Sequence, residues 1–393
     1  MTSAPARGLG ELAWLFLKLG TTAFGGPAAH IAMMEDEVVG RRRWLTREQF
    51  LDLLGATNLI PGPNSTELAI HVGHARAGWP GLLVAGTCFI LPATLIVVAC
   101  AWAYVRFGRL PELVGILYGV KPVVIGVVLQ ALWRLGRTAL RGPGLALLAL
   151  GAAAANAIGG DELVVLGAAA LLAAVAHRLW NAAGSGPPGG AARVLGLEPI
   201  LPTTVLAAAG AGAVGAAAPA AASLWPLFLF FAKVGSMLFG SGYVLLAFLR
   251  GGLVDDRGWL TEAQLLDAVA IGQVTPGPVF TTATFVGYLL AGGPGAAAAT
   301  VGIFLPAFVF VALSGPLVPR LRRSRLAGAV LDGVNAASLA LMAVVTAQLA
   351  RSALVDGWTF ALAVVSAACL LGLRINSSWL VLGGALVGLV AGP

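Results

Sequence analysis

Charged residues are scarce in this 393-residue chain, since they make up only 10% of it against 59% hydrophobic residues. A water-soluble domain usually has about a quarter of its residues charged. With a mean hydropathy of +0.91, the chain has too little polar surface to fold as a globule in water. The composition predicts an all-α integral membrane protein and excludes a soluble enzyme, a nucleic-acid-binding protein and a disordered scaffold.

Cysteine and lysine are rare as well. The three cysteines all lie in apolar runs, which predicts buried side chains and neither a disulfide framework nor a metal site. Only three of the 24 basic residues are lysine, and an arginine excess that gives a net charge of +7 is typical of the cytoplasmic loops of membrane proteins. The chain also lacks a Walker A motif and any haem or flavin signature, so we expect no cofactor and no ATP-driven step within it.

The chain contains an internal duplication at an offset of 215 residues, which falls to 214 after one residue is lost. So many matches in one register are typical of the internal repeats of secondary transporters. The matched pairs include Lys18/Lys233, Trp44-Leu45-Thr46/Trp259-Leu260-Thr261, Pro61-Gly62-Pro63/Pro276-Gly277-Pro278, Pro80-Gly81/Pro294-Gly295 and Leu91-Pro92-Ala93/Leu305-Pro306-Ala307.

Apolar runs of spanning length predict about 13 transmembrane segments, at about 20 residues each. Residues 1–180 form the first repeat, 181–222 a linker with one unmatched helix near 202–222, and 223–393 the second repeat. The runs lie near 9–27, 47–77, 80–104, 112–133, 144–158 and 162–180, and again near 225–248, 262–291, 294–316, 326–349, 357–373 and 376–391.

The unmatched helix has a topological consequence, because a single crossing between two even-numbered repeats inverts the second one. Counting arginines in the loops favours an N-terminus inside the cytoplasmic membrane and a C-terminus outside, with 14 of the 21 arginines on the inner side. Segment 47–77 leaves an alternative open: if it re-enters the membrane without crossing, each repeat has an odd number of spans and the repeats are parallel.

The interrupted segments predict broken helices. Thr46 and Thr261 each precede a Gln by three residues, which is the pattern of a helix-starting capping box. Each helix then meets Pro-Gly-Pro after about 14 residues, or about 21 Å, which is too short to cross the bilayer. Pro61 and Pro276 end the first half-helix, and Pro63 and Pro278 suit the start of a second one.

The start of a half-helix exposes N–H groups and a partial positive charge, which together favour an anion. The predicted substrate-binding residues are Gly62, Asn64, Ser65 and Thr66 in the first repeat and Gly277, Thr281 and Thr282 in the second, with Lys18 and Lys233 as two symmetric cations. The alternatives are that Pro-Gly-Pro is only a packing kink and that the lysines reach the membrane interface.

Glu67, His71 and His74 lie on one predicted helical face, at positions i, i+4 and i+7. An intramembrane carboxyl next to histidine is a candidate proton relay. A metal site and a packed polar face near the membrane edge are the competing interpretations. The second repeat has no histidine at this place, so a relay would be one-sided.

Several long motifs closely resemble the chromate transporter family. They are the run from Phe24 to Val39, Trp44-Leu45-Thr46 and the run from Asn58 to His71, and in the second half Phe239 to Val244, Gly272 to Thr284 and Phe304-Leu305-Pro306. The resemblance covers nearly the whole chain apart from residues 181–222 and the two ends. It is specific, since long motifs agree in both halves.

This resemblance implies an inner-membrane transporter that exports chromate, driven by the membrane gradient, and so gives chromate resistance. Chromate is the expected substrate, sulfate is its structural look-alike, and the proton is the expected coupling ion. Two other functions stay open: an uptake carrier for sulfate or a related oxyanion, and a membrane-embedded enzyme built on the Glu67/His71/His74 face. We expect no enzyme activity.

Overall fold

The structure is a computed structural model that describes residues 5–24, 26–108, 110–184, 223–239, 244–373, 375 and 377–391. The described residues form helices joined by turns and contain no β-strand. The helices are α1 (Pro5–Thr22), α2 (Gly26–Glu35), α3 (Arg47–Thr57), α4 (Asn64–Phe107), α5 (Pro111–Ala139), α6 (Pro143–Ala157), α7 (Glu162–Gly184), α8 (Leu224–Met237), α9 (Leu245–Leu249), α10 (Glu262–Val274), α11 (Thr282–Arg323), α12 (Arg325–Ala353), α13 (Gly357–Ala368) and α14 (Ser377–Ala391).

Five helical stretches are long and apolar enough to cross a membrane, namely Asn64–Phe107, Pro111–Ala139, Glu162–Leu179, Val279–Ser314 and Arg325–Ala353. Shorter apolar helices lie at Pro143–Ala157, Leu224–Met237, Gly357–Leu373 and Ser377–Ala391. Trp14, Trp79 and Trp133 are among the tryptophans that project from the surface, as is usual for residues anchored at a membrane interface. The fold is consistent with a helical membrane protein, while the unmatched segment 202–222 lies outside the described residues.

The two predicted helix breaks are present. Thr46 and Thr261 both form complete capping boxes, in which the Thr hydroxyl accepts from the backbone of the Gln three residues on. The helices that they begin, α3 and α10, end at Thr57 and Val274, just before Pro-Gly-Pro. Because proline cannot donate to the preceding turn, the chain leaves the helix there and starts again at residue 64 or 279.

Helices α4 and α11 are each bent into two arms. Ala77 and Gly78 leave the helical conformation, with φ of +62° at Gly78, and Ala291 and Gly292 repeat this geometry. The two arms of α4 touch at Gly73 and Gly81, where a Cβ on either residue would collide with the other's carbonyl. Each of these helices therefore has a short arm that leaves the break and a long arm that returns past it.

The segments predicted near 9–27 and 47–77 fold back and do not run straight through. Helix α1 returns through α2, so that Glu11 lies 3.6 Å from Arg42. Trp44, before α3, lies under the guanidinium of Arg76, at the end of the short arm of α4, at 5.1 Å. In both regions the chain therefore returns close to where it started, as the re-entrant alternative for 47–77 requires, while the number of crossings stays a prediction.

The two repeats interlock through their breaks. The Gly62 N–H donates to the Leu238 carbonyl at 2.7 Å, and the Gly277 N–H donates to the Ala23 carbonyl at 3.0 Å. Since Gly277 and Leu238 lie 215 residues after Gly62 and Ala23, the two bonds join matching positions of the duplicated sequence. Each break is thus held by the end of the first helix of the opposite repeat.

The later helices also pack across the repeats. Helix α5 lies against α13 and α14, while its counterpart α12 lies against α6 and α7. Glycines allow this close approach: Gly119 of α5 meets Gly384 of α14, and Gly333 of α12 meets Ala169 of α7. The core that surrounds the breaks is therefore built jointly by both repeats.

Candidate functional site

A cavity of about 580 Å³ lies where the two helix breaks meet. The start of α4 supplies Asn64 and Ser65, and the start of the α11 region supplies Val279 and Phe280. Helices α5 and α12 form the remaining walls. Their polar contributions are Gln130, Arg134, Thr138, Asp332, Asn335 and Ser338.

The cavity runs from a buried end to an exposed end. Ser65 is only 3% exposed, whereas Arg134 and Arg141, further along α5 and beyond it, are exposed. The buried end is formed by the helix starts, whose first N–H groups have no carbonyl one turn earlier to bond. At the first break, Thr66 and Glu67 donate their N–H groups to the Pro63 carbonyl, which leaves those of Asn64 and Ser65 without an acceptor in the part of the chain that the structure describes.

Asn64 and Ser65 are the predicted binding residues that the structure brings to the cavity. The Asn64 side chain donates to Asn58 Oδ1 at 2.9 Å, and its own Oδ1 is buried without a partner among the described residues. Ser65 Oγ lies 3.3 Å from His30 Nδ1. Arrangements of amides, a hydroxyl and a guanidinium around a small space are suited to an oxyanion, because every one of these groups can donate.

Four of the other predicted donors at the breaks, Gly62, Gly277, Thr281 and Thr282, have partners already. The amides of Gly62 and Gly277 are used in the bonds between repeats, so they do not point into the cavity. Thr281 donates its hydroxyl to the Pro278 carbonyl and Thr282 donates to the Val279 carbonyl, both at 2.8 Å. Local hydrogen bonds of this kind are what Thr side chains favour at a helix start, and sequence spacing does not reveal them.

The two predicted lysines do not line the cavity. Lys18 forms an ion pair with Glu37 at 3.0 Å, and Glu37 also accepts from Arg42. Lys233 is exposed, and the residue that corresponds to Glu37 in the second repeat is Gly252. The two lysines therefore occupy matching positions in the sequence but have different neighbours in the structure.

Glu67, His71 and His74 lie on the short arm of α4, as predicted, but they differ in environment. The Glu67 side chain is fully buried against Gly62, and neither carboxyl oxygen has a hydrogen-bond partner in the described part of the chain. His71 is 8% exposed with its Nε2 unpartnered, and Thr66 Oγ1 is equally isolated. His74 is exposed and packs edge-on against Trp79.

Two residues of the site were not singled out from the sequence. Arg134 was counted only as a loop-side charge, although its position one turn after Gln130 on α5 places both on the cavity wall. His30 is the second of these residues, and no sequence motif places it beside the breaks. Its side chain is 1% exposed and connects α2 to Ser65, a contact that only the folded chain brings about.

On the far side of the breaks, the corresponding space is filled by a charged cluster. Lys121 Nζ of α5 lies 2.9 Å from Asp267 Oδ1 of α10, and Tyr104 donates its hydroxyl to Asp267 Oδ2 at 2.8 Å. The counterpart of Lys121 in the second repeat is Asn335, which lines the open cavity. The ion pair on one side of the breaks therefore has no equivalent beside the cavity, where asparagine takes the place of the lysine.

The residues that the structure describes contain no group of three or more His, Cys, Asp or Glu side chains arranged to hold a metal ion. The Glu67/His71/His74 face in particular does not converge, because His74 turns to Trp79.

Comparison with known proteins identifies the family to which the chain is similar. A sequence model of the family described as chromate transporter matches residues 10–179 and 225–389, which lie within the two predicted repeats. The chromate transport protein of Cupriavidus metallidurans is 35% identical over 100% of this chain and 95% of its own length. A probable chromate transport protein of Synechococcus elongatus is 32% identical (98% and 96% covered), and the chromate transport protein of Pseudomonas aeruginosa is 33% identical (86% and 80% covered).

No solved structure matches the chain. The two matched stretches contain both Pro-Gly-Pro breaks and the walls of the cavity, and the similar proteins are named for transport. Together with its apolar helices, this shows that the chain is a multi-pass membrane protein and belongs to the chromate transporter family.

Proposed function

We propose that this protein is a gradient-driven transporter that exports chromate across the cytoplasmic membrane and so gives chromate resistance. The observation that carries the proposal is the cavity that ends on two helix starts and is lined by Asn64, Ser65 and Arg134. The names of the three similar chromate transport proteins support the same substrate.

The chemistry of the cavity fits a tetrahedral dianion. Chromate and sulfate carry acceptor oxygens only, and they are matched by N–H groups of a helix start, by a hydroxyl and by a guanidinium. Of the residues predicted from the sequence, Asn64 and Ser65 form the contact in this proposal and Arg134 joins them. Lys18, Thr66, Lys233, Thr281 and Thr282 lie behind this contact or outside the cavity.

We propose an inverted arrangement of the two repeats. The long arms of α4 and α11 run in opposite directions, since Gly86 meets Phe308 and Leu82 shares an apolar cluster with Val311. Antiparallel partners of this kind require a two-fold axis that lies across the helices and hence in the membrane plane. In this proposal α1 with α2, and α3 with the short arm of α4, enter the membrane and return to the same side, as do their counterparts in the second repeat. Each repeat then has four crossings. The predicted crossing near 202–222, outside the described residues, would invert the second repeat.

The distribution of arginine supports this topology. Apart from Arg193 in the linker, 15 of the remaining 20 arginines then fall on the N-terminal side of the membrane and five on the other. Such an excess marks the cytoplasmic side. The topology therefore keeps the N-terminus inside and the C-terminus outside, with about nine crossings in place of 13.

In this orientation the cavity opens to the cytoplasm and the Lys121–Asp267 pair closes the outer side. We propose that these are two halves of an alternating-access cycle, in which the outer pair separates when the inner cavity closes. An inward-open cavity is the form that an exporter uses to take up its substrate. In the outward-open state of this cycle, the cavity lined by Asn335 would be closed.

The chain has no ATP-binding motif, so the gradient is the proposed energy source. The proton is the proposed coupling ion, with Glu67, His71 and His74 as candidates. The isolation of the buried Glu67 carboxyl supports its candidacy, because an unpaired charge in such surroundings is costly and favours exchange of a proton.

Flux in proteoliposomes tests the function. Purified protein is reconstituted, and chromate movement is followed while a pH gradient and a membrane potential are imposed separately; empty vesicles serve as the control. We expect movement only when a gradient is present, and lower chromate accumulation in cells that express the protein. Higher accumulation in cells would show uptake instead, which is the behaviour expected of a sulfate-type carrier, and flux without any gradient would contradict coupling.

A further inference from the structure

His30 is fixed between the two breaks. Its Nε2 lies 3.1 Å from the Ala23 carbonyl, the same carbonyl that accepts the Gly277 N–H of the opposite repeat. Its Nδ1 lies 3.3 Å from Ser65 Oγ, at the buried end of the cavity. The ring also packs edge-on against Phe89 at 5.6 Å, which restricts its rotation.

The carbonyl determines how the ring is protonated. A carbonyl oxygen only accepts, so the hydrogen bond to Ala23 requires a proton on Nε2. In neutral His30 the Nδ1 atom then has a free lone pair, and the Ser65 hydroxyl must donate to it. Ser65 therefore presents its oxygen lone pairs to the cavity in this state, which disfavours an anion there.

A second proton on His30 reverses this bond. The Nδ1–H group then donates to Ser65 Oγ, and the Ser65 hydroxyl is free to turn its proton toward the cavity. The step consists of one proton taken from water and one rotation of a hydroxyl, with no other bond changed. It converts Ser65 from an acceptor to a donor at the buried end of the cavity, at the start of α4.

We propose that His30 is a positioning residue that couples proton uptake to oxyanion binding by setting the direction of the Ser65 hydroxyl. The inference rests on the proposed function, because it concerns the same cavity. Linkage between two ligands is reciprocal, so a proton on His30 strengthens anion binding and a bound anion strengthens proton binding to the same extent. A dianion that travels with this proton carries one net negative charge, which an interior-negative membrane potential drives outward.

Other titratable groups surround His30 and must be separated from it. The short arm of α4 carries Glu67, turned to Gly62, and His71. Helix α1 and the turn after α2 contribute Lys18 and Glu37, which are paired with each other. Arg134 and Asp332 line the cavity from α5 and α12. Of the groups packed around α2 that are named here, His30 is the one hydrogen-bonded to the Ser65 hydroxyl, so its titration sets the direction of that hydroxyl.

The coupling is confined to the first repeat. In the second repeat Leu245 replaces His30 and Phe280 replaces Ser65. A single proton per anion is therefore the expected stoichiometry of this device.

The experiment is sulfate binding to the purified full-length protein, measured by calorimetry between pH 7.5 and pH 4 at constant salt, because burial of the ring places its uptake of a second proton in the acidic part of this range. Sulfate is used because it has the shape and charge of chromate and is not an oxidant. For the wild type we expect affinity to rise by about tenfold as the pH falls, a typical size for coupling between two sites. We expect His30→Gln and Ser65→Ala to flatten this pH dependence, and a pH-indicator dye to report proton uptake on sulfate addition only in the wild type.

Ser65→Ala keeps the histidine and removes only the hydroxyl, so it answers the question even where His30→Gln does not fold. His177→Gln on α7 is the matched control and should keep the wild-type pH dependence. The inference is overturned when the pH dependence survives in Ser65→Ala, or when it disappears in Glu67→Gln and persists in His30→Gln. Absence of sulfate and chromate binding in the wild type at every pH would instead overturn the proposed function, and the inference with it.

Discussion

The two repeats have the same backbone and different chemistry. Both contain Pro-Gly-Pro at the end of a capped helix, both place the central glycine at positive φ (+141° at Gly62 and +93° at Gly277), and both hold that glycine by a hydrogen bond to the opposite repeat. These shared features are the ones needed to keep a helix broken inside the protein, where every backbone group requires a partner.

The side chains next to the breaks differ. Asn64, Ser65 and Glu67 in the first repeat are replaced by Val279, Phe280 and Thr282 in the second. Both repeats have therefore kept the backbone geometry of the break, but only the first has Asn, Ser and Glu side chains at these three positions. The second break contributes backbone amides and an apolar wall, while the first contributes the groups that can recognise charge or exchange a proton.

The two sides of the breaks differ in the same way. Asp267 is paired with Lys121, and the positions that correspond to these two residues in the other repeat hold Asp52 and Asn335. Because asparagine carries no charge, this Lys–Asp pair has no equivalent at those positions. An asymmetric ion pair in a symmetric scaffold is a simple way to give the two states of a transporter different stabilities.

The largest effect is expected from the shared backbone feature. Gly62→Ala and Gly277→Ala each force a side chain into positive φ, and the new Cβ would collide with the Glu67 carboxyl or with Ala93. Each substitution should lower the free energy of unfolding by about 1–3 kcal/mol and abolish flux. Thermal unfolding and chromate flux per amount of folded protein measure this.

Gly142→Ala is the control, since nothing lies near its Cβ position and its backbone is extended. It should behave as the wild type. The opposite outcome is loss of flux in Gly62→Ala with normal flux in Gly277→Ala. It would show that the second break is a remnant of the duplication and is not needed for transport.

Much of the fold follows from the sequence because its determinants are local. Capping boxes at Thr46 and Thr261 start helices, and Pro-Gly-Pro stops them, whatever surrounds them. The fold-back of α1 through α2 and of α3 through the short arm of α4 was not predictable in the same way. Apolar runs record that a segment lies in the membrane but not whether its ends meet, which depends on contacts such as Trp44 with Arg76.

The candidate site was predictable only where a helix start defines it. Asn64 and Ser65 follow from the position of Pro63, because the first N–H groups of any helix are free. Whether Thr281, Thr282 or the glycine amides are available depends on their partners in the folded chain. Arg134 lines the cavity through the packing of α5, and His30 contacts the cavity-lining Ser65 through the packing of α2, which no sequence motif encodes.

The next largest effect concerns the cation that only the first repeat supplies. Arg134 corresponds to Gln348 in the second repeat, so Arg134→Gln makes the two alike. A hydrogen bond between charged groups contributes about 1.5–3 kcal/mol, so sulfate affinity should fall by about tenfold or more. Calorimetry at constant salt measures it, with Arg137→Gln, an exposed arginine outside the cavity, as the control. Equal losses in both variants would mean that only the general positive charge matters.

The outer ion pair gives a smaller effect, on the balance of states. Lys121→Asn gives α5 the residue that α12 has at the matching position, Asn335, and removes the ion pair with Asp267. It should therefore expose the α5 residues that lie next to this pair. Labelling of Val124→Cys by an impermeant thiol reagent from the outside, in a background without the three native cysteines, should become about fivefold faster, as for a shift of about 1 kcal/mol between states. The exchange Lys121→Asp with Asp267→Lys should restore the slow labelling. Unchanged labelling in Lys121→Asn would remove the pair from the cycle.

The smallest effect is expected at the lysines, where sequence symmetry is strongest and structural similarity weakest. Lys18 is 43% exposed and paired with Glu37, so Lys18→Met should cost about 1 kcal/mol of stability or less, as for a partly exposed ion pair. Lys233 is exposed and corresponds to a position without that carboxylate, so Lys233→Met should leave stability unchanged. Sulfate affinity should stay within about threefold in both variants, because neither ammonium lines the cavity and exposed charges are screened. Loss of sulfate binding in both lysine variants would instead support the sequence-based prediction that Lys18 and Lys233 bind the anion directly. It would require a second conformation in which α1 and α8 bring these lysines to the breaks.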